Sequence, residues 1–195
     1  DTLFGGFVNT YSKTADPSGY AASLQDFTNR YNNGSALIEY FGHSSTSSID
    51  FSLDNPANYT NTGRYPVFVV NGCLAGNIFD FDWNRFVYRN TISEKFTLEP
   101  QKGAIAYVSS SSYGVLDYLG VFTDYIYSSM SAAQYGSGIG NVLKDGITNS
   151  LEHYQYADFI ANMHAEQITL HGDPAIKFSN FALPDYVIEA PQISV

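Results

Sequence analysis

Three short apolar runs separated by segments of helical length are the feature that most constrains the fold of this 195-residue chain. They cover residues 36–41, 66–70 and 103–108, and each is bounded by glycine or proline. Short continuous apolar runs are typical of parallel strands that are buried on both faces of a sheet. The sequence therefore predicts an α/β fold with a mainly parallel sheet and helices on both faces.

Segments with helical periodicity lie between and after these runs. They cover residues 21–31, 115–130, 139–150 and 154–170. The residues from Thr91 to Glu94 match a capping box, which predicts a further helix that starts there and runs toward Leu98. Residues 44–65 are rich in Ser, Asn, Asp and Thr, and we predict a long surface loop there.

The composition limits the kind of protein that this chain forms. Hydrophobic residues make up 44% and charged residues 14%, a balance typical of a folded domain. We predict one domain over residues 1–183, and a linker or the first strand of a following β domain over residues 184–195. The net charge of -10 repels phosphate groups, so we expect no nucleic-acid partner. No apolar stretch is long enough for a transmembrane segment.

Two side chains of chemical interest follow the first two predicted strands directly. His43 comes after residues 36–41, and Cys73, the only cysteine, comes after residues 66–70. Ligand sites in parallel sheets lie beyond the carboxyl ends of the strands, and a nucleophilic thiolate needs an imidazole partner. The spacing alone leaves open a second interpretation, in which Cys73 is a buried structural residue and His43 an ordinary surface residue.

Four segments in a fixed order carry a resemblance to a known family. They are IEYFGHSS at 38–45, VVNGCLAG at 69–76, GAIAYV at 103–108 and LHGDPAI at 170–176. Together they resemble the gingipain family of cysteine peptidases, and the order of His before Cys agrees with caspase-like enzymes. The resemblance implies a caspase-like three-layer α/β/α sandwich. It also implies peptide-bond hydrolysis through a thioester on Cys73, with His43 as general acid and base.

The resemblance extends to the other parts of the site. It implies an oxyanion hole formed by the backbone N–H groups of Cys73 and Ser44, although relatives usually have glycine at the second position. Ser109, Ser110 and Tyr113 fall where relatives build a wall of the pocket for the P1 side chain. We therefore predict that these three residues contact the substrate.

Gingipain-like catalytic domains have an additional N-terminal portion that supplies the acidic partner of the histidine. Only residues 1–42 precede His43 in this chain. We therefore expect the chain to be part of a larger catalytic domain, whose partners are a protein or peptide substrate and its own N-terminal portion. Glu39, Asp50 and Asp54 are nearby carboxylates that could orient the imidazole. Each is equally explained as a residue at a strand edge or in a solvated loop.

No cofactor is predicted from the residues. His153, His164 and His171 have no metal-ligand spacing with one another or with Cys73, so we interpret them as structural. The family often carries structural calcium, but no Asp-rich loop of this sequence specifies it. The shortage of Lys and Arg and the resemblance together favour an extracellular, bacterial cell-surface or periplasmic location.

Two other functions remain open at this stage. The segment HGDPAIKF followed by PDYVIE is similar to sortase-like members of the family that are associated with type IX secretion. Such a member would cleave selected signals and transfer them to an amine. The other alternative is a catalytically inactive binding or scaffold module with the same fold.

Overall fold

A computed structural model of the chain describes residues 8–51, 53–80, 83–87 and 91–178. The linker or β-domain start that the sequence predicts at residues 184–195 lies outside these ranges. All of the strands and helices given below belong to the described residues.

One four-stranded sheet organises the described part of the chain. In spatial order it consists of β1 (Leu37–Phe41), β2 (Val67–Asn71), β3 (Ala106–Ser110) and β4 (Ile168–Gly172). The first three strands are parallel, and β4 is antiparallel to β3. The mainly parallel sheet that the sequence predicts is confirmed, and its first two strands are direct neighbours.

Five α-helices surround the sheet. They are α1 (Pro17–Asn33), α2 (Ile92–Leu98), α3 (Leu116–Ser128), α4 (Ile139–His153) and α5 (Phe159–Gln167). A π-helical turn, Ser129–Ala133, continues α3, and short 3-10 turns occur at Pro56–Asn58 and Trp83–Phe86. The predicted loop at residues 44–65 is confirmed apart from the first of these 3-10 turns.

The two faces of the sheet bury separate apolar cores. Consecutive side chains of a strand point to opposite faces, so Phe68 and Val70 pack toward α1 and α2, whereas Val67 and Val69 pack toward α3 and α4. Tyr107 belongs to the first core. Helices therefore cover both faces, and the predicted three-layer sandwich is confirmed.

The first turn of α2 differs from the prediction. The helix begins at Ile92, as the capping-box pattern indicates, but the Thr91 side chain forms no capping hydrogen bond. Its hydroxyl donates instead to the carbonyl of Asn77, at 2.9 Å. Because this hydroxyl is engaged by the preceding loop, the prediction of a capping box is wrong while the position of the helix is right.

Two boundaries near the end of the described chain also differ from the sequence prediction. β3 begins at Ala106 and continues through Ser109 and Ser110, beyond the end of the predicted apolar run at residues 103–108. Residues 168–172 form β4 and do not continue a helix. The reason is pairing: the side chain of Thr169 donates to the carbonyl of Ser109 at 3.0 Å, and the whole segment pairs with β3.

Candidate functional site

The carboxyl ends of β1 and β2 lie side by side, which brings the two segments that carry His43 and Cys73 together. The N–H of Gly42 donates to the carbonyl of Asn71 at 3.1 Å, which continues the ladder one residue beyond the strands. The hydroxyl of Ser44 donates to the carbonyl of Cys73 at 2.7 Å. The side chain of Ser44, which follows the predicted acid–base residue, therefore contacts the backbone of the predicted nucleophile.

This close approach depends on the glycine that precedes the cysteine. A Cβ atom at Gly72 would lie 2.2 Å from the Oγ of Ser44 and 2.7 Å from the backbone oxygen of Gly42. Both distances are well inside van der Waals contact, and the second involves the main chain, which cannot rotate away. Only glycine fits between the ends of the two strands.

The Cys73 thiol is half-buried and rests against a loop that follows β3. The N–H of Gly114 donates to its Sγ at 3.4 Å, and the Sγ lies 3.9 Å from the carbonyl oxygen of the same residue. The next residue, Leu74, has a φ of 60°, and its N–H donates to the carbonyl of Ser112 at 2.9 Å. A tight turn thus places the half-buried sulfur just beyond the end of β2.

The backbone of His43 is held in place while its ring is exposed. Its carbonyl accepts hydrogen bonds from the hydroxyl of Tyr40 at 2.6 Å and from the N–H of Asp50 at 3.2 Å. Among the residues that the structure describes, no carboxylate bonds to the imidazole. The described chain therefore holds the histidine in place without supplying its acidic partner.

The carboxylate of Glu39 has two other partners. It accepts a hydrogen bond from the side-chain amide of Asn71 at 3.0 Å and another from the hydroxyl of Tyr127 at 2.5 Å. Burial, and secondarily the bond to this carboxylate, raise the pKa of Tyr127, so the tyrosine stays a donor at neutral pH. Glu39 therefore ties β1 to β2 and α3. The carboxylate of Asp50 forms an ion pair with Lys13 at 3.3 Å.

Two backbone groups are available for the predicted oxyanion hole. Within the described ranges, the N–H groups of Cys73 and Ser44 donate to no protein acceptor, whereas the N–H of Leu74 is used by Ser112. A free, oriented N–H beside the nucleophile is what stabilisation of an oxyanion requires. The assignment of this pair stays a prediction.

The three residues predicted to line the substrate pocket differ in accessibility. The side chains of Ser109 and Ser110 lie within the sheet, with exposures of 1% and 0%, and the hydroxyl of Ser110 donates to the carbonyl of Ser112 at 3.0 Å. Tyr113 is 68% exposed and directly precedes Gly114. Of the three, Tyr113 is the one whose side chain a substrate could reach, and the pocket stays a prediction.

The loop that touches the thiol is also bonded to α5. The N–H of Ser111 donates to the carbonyl of Gln167 at 2.8 Å, and the N–H of Val115 donates to the Nε2 of His164 at 3.0 Å. Burial lowers the pKa of His164, so its ring is neutral at neutral pH. The sequence marks His164 only as structural, because nothing in its spacing connects it to a residue 49 positions away.

A large open groove runs along the free edge of β1, the edge to which no described strand is paired, and it reaches His43. Its volume is 1580 Å³, and it extends from the segment around Tyr11 to the start of α4. The carbonyl of Ala36 accepts a hydrogen bond from β2, and the N–H of Gly42 donates one to β2. The alternation of a parallel ladder therefore leaves the backbone groups of Leu37, Glu39 and Phe41 facing the groove.

Neither a metal cluster nor a membrane span is found in the described parts of the chain. There, no three side chains of His, Cys, Asp or Glu come together as a metal site would require. Also within those ranges, no helix has both the length and the apolar content needed to cross a membrane. The expectation of no cofactor stays a prediction.

Comparison with known proteins identifies the family. The model of Peptidase family C25 matches residues 3–179, nearly the whole chain. The chain belongs to this family. It is thus a member of a family of cysteine peptidases, and the resemblance to gingipains is confirmed. No curated protein sequence matches this C25 chain.

Solved structures of gingipains resemble the C25 chain in fold. The complex of the pro- and mature domains of RgpB from Porphyromonas gingivalis matches with 18% identity and a TM-score of 0.63, over 78% of this chain and 36% of that one. The Arg-specific cysteine proteinase gingipain R (RgpB) matches with 18% identity and a TM-score of 0.64, over 78% and 35%. The fold is caspase-like, and the C25 chain spans about a third of the length of these relatives.

Proposed function

We propose that this chain carries the nucleophile and the acid–base residue of a cysteine endopeptidase, Cys73 and His43. The observation that carries the proposal is the junction of β1 and β2. His43 and Cys73 each lie two residues beyond the end of one of these neighbouring parallel strands, and the Ser44 hydroxyl donates to the Cys73 carbonyl at 2.7 Å. Membership of Peptidase family C25 supports the same chemistry.

The proposed reaction proceeds in two steps. The Cys73 thiolate attacks the carbonyl carbon of the scissile peptide, and the C–N bond breaks as His43 gives its proton to the leaving amine. The product of this step is a thioester between Cys73 and the acyl part of the substrate. His43 then removes a proton from water, which attacks the thioester, breaks the C–S bond and releases the acid.

The proposed oxyanion hole consists of the N–H groups of Cys73 and Ser44. Both groups are free of protein acceptors within the described chain, which supports this assignment. The bond from the Ser44 side chain to the Cys73 carbonyl holds the two peptides together. In this proposal the serine side chain stabilises the turn that glycine forms in relatives.

Tyr113 is proposed as one rim of the pocket for the P1 side chain. It is exposed, and it precedes the glycine whose N–H contacts the Cys73 sulfur. A substrate held with its carbonyl at the sulfur would present its P1 side chain beside this loop. Ser109 and Ser110, which lie behind it in the sheet, would act by supporting the loop.

A further portion of the same peptidase is the proposed partner along the free edge of β1. Within the described part of the chain, no strand pairs with this edge of β1. This edge, the adjoining groove and the exposed His43 ring support an arrangement in which that portion packs there. It would supply the carboxylate that orients the imidazole. The RgpB chains, almost three times as long as the match, support the same view.

We expect the chain alone to cleave peptides weakly or not at all, because no carboxylate among the described residues bonds to the His43 imidazole. The measurement is incubation with a pooled peptide library, followed by mass spectrometry. The Cys73→Ala variant is the control for contaminating peptidases. Robust cleavage that disappears in this variant would contradict the need for an additional portion.

The dyad itself can be tested without turnover. We expect iodoacetamide to alkylate Cys73 at least about tenfold faster in the wild-type chain than in His43→Ala, because the imidazole stabilises the reactive thiolate. Rates are measured by mass spectrometry between pH 5 and 9.

His153→Ala is the matched control for this experiment. It removes a histidine whose described ring contacts are with Tyr125 and Tyr154, so we expect it to leave the rate unchanged. Slow alkylation that is the same in all three proteins would favour an inactive binding module of the same fold.

Hydrolysis and transfer can be distinguished once an active form is in hand. A hydrolase passes the thioester to water, whereas a sortase-like enzyme also passes it to an added amine. The ratio of the two products at increasing amine concentration measures the choice.

The low content of Lys and Arg supports action outside the cytoplasm, at the cell surface, in the periplasm or in the medium.

A further inference from the structure

The loop between β3 and α3 lies between α5 on one side and the Cys73 turn on the other. On the side of the cysteine, Gly114 donates to the Sγ and Ser112 accepts from the N–H of Leu74. On the side of α5, Ser111 donates to the carbonyl of Gln167. The loop is thus bonded on both sides, and a displacement of one side moves the groups that touch the sulfur.

Of the hydrogen bonds between α5 and this loop, the one nearest to the sulfur in sequence is made by a side chain. The Nε2 of His164 accepts from the N–H of Val115, at 3.0 Å, and Val115 directly follows the glycine that donates to Sγ. The imidazole is 5% exposed and lies parallel to the ring of Tyr118, with centroids 5.9 Å apart. Packing on an aromatic face fixes the orientation of the acceptor nitrogen.

The bond to Val115 exists only while the imidazole is neutral. An acceptor nitrogen carries no proton, and protonation at Nε2 would place an N–H against the N–H of Val115. The other nitrogen, Nδ1, is buried and has no hydrogen-bond partner within the described residues. Protonation therefore replaces an attraction by a repulsion next to Gly114.

None of the described ionisable groups around His164 forms an ion pair with it. Tyr118 stacks on its ring and donates to Asp158 at 2.9 Å, and Tyr154 also stacks on Tyr118. Asp117 and Asp158 are the nearby negative charges acting on these tyrosines. Burial dominates and lowers the pKa of His164, so the bond is present at neutral pH and is lost on acidification.

We propose that neutral His164 is a positioning residue for the Cys73 thiol, because it holds the loop whose Gly114 N–H stabilises the thiolate. The inference rests on the proposed role of Cys73 as nucleophile. Hydrogen bonds to an ionised sulfur favour the charged, reactive form. Without the acceptor at His164, this donor loses its fixed position.

The test uses alkylation of Cys73 in proteins that all carry His43→Ala, so that ionisation of His43 does not contribute. At pH 8 we expect His164→Leu to reduce the rate by about tenfold, since it removes the acceptor. His164→Gln should stay within about threefold of the parent, because its amide oxygen can accept from Val115. Equal rates for the Leu variant and the parent would overturn the proposal.

The pH profile separates positioning from a purely structural role. Because the thiolate is the reactive form, the logarithm of the rate falls with a slope of one as the pH decreases. Through the pKa of His164 we expect the parent to lose about tenfold more rate than His164→Gln, so that its slope exceeds one over that range. The slope should remain one in His164→Gln, which does not titrate. Identical slopes overturn the proposal even if the Leu variant fails to fold.

The outcome is independent of whether the chain is a peptidase. The comparison of wild type with His43→Ala tests the dyad, and the His164 variants are compared only with one another in the His43→Ala background. Loss of the dyad effect with the His164 effect intact would contradict the proposed function alone. Loss of the His164 effect with the dyad effect intact would contradict only the positioning role.

Discussion

Gly72→Ala is expected to reduce the alkylation rate of Cys73 by about tenfold and to lower the free energy of unfolding by about 1–3 kcal/mol. The added methyl group would meet the Ser44 hydroxyl at 2.2 Å and the Gly42 carbonyl oxygen at 2.7 Å. The hydroxyl can rotate, but the carbonyl belongs to the main chain, and the N–H of the same residue is bonded to the end of β2. The ends of the strands must separate, and the imidazole moves away from the sulfur.

The matched control is a glycine with free space around it. A Cβ atom at Gly120 in α3 would have no neighbour within 4 Å, and alanine is favoured in helices. We therefore expect Gly120→Ala to leave alkylation unchanged and to raise the free energy of unfolding by up to about 1 kcal/mol. Both variants are measured by mass spectrometry and urea denaturation. Normal reactivity and stability in Gly72→Ala would contradict the close approach of the strand ends.

Phe68→Ala is expected to lower the free energy of unfolding by about 3–5 kcal/mol. Phe68 lies in the central strand β2 with an exposure of 0%, and its ring packs against those of Phe96 and Tyr107, with centroids 5.2 Å apart in both pairs. Truncation removes these contacts and leaves a cavity between β2, β3 and α2. Such a loss is a large part of the stability of an ordinary domain.

Phe79→Ala is the control for this prediction, since its ring is 70% exposed and it lies in the loop after Cys73. We expect a change within about 0.5 kcal/mol for that variant. Urea denaturation followed by circular dichroism gives both values. A small effect of Phe68→Ala, similar to that of the control, would contradict the placement of this strand in the centre of the core.

The parts of the fold that the sequence predicts well are those in which local pattern and burial agree. β2 consists of Val, Phe, Val, Val and Asn after a proline, and every residue of the strand is buried. β4 was predicted wrongly because Ile168 and Leu170 fit a helix as well as a strand. Pairing with β3 decides between the two, and the sequence does not contain that information locally.

The site divides in the same way. The placement of His43 and Cys73 beyond two strand ends could be predicted because each follows a recognisable strand, and the adjacency of those strands is a common result for consecutive parallel strands. The burial of Ser109 and Ser110 could not be predicted, because it depends on where β3 ends. The bond between His164 and Val115 could not either, since it joins distant helical and loop segments.

The edge of β1 that pairs with no other described strand also affects how the chain behaves in solution by itself. Exposed backbone donors and acceptors on an edge strand are a template for pairing with a second molecule, and aggregation through such edges is a known hazard. The net charge of -10 opposes that encounter through mutual repulsion, and dissolved salt screens the repulsion. Dilute buffers therefore favour the monomer, and concentrated ones favour self-association along this strand.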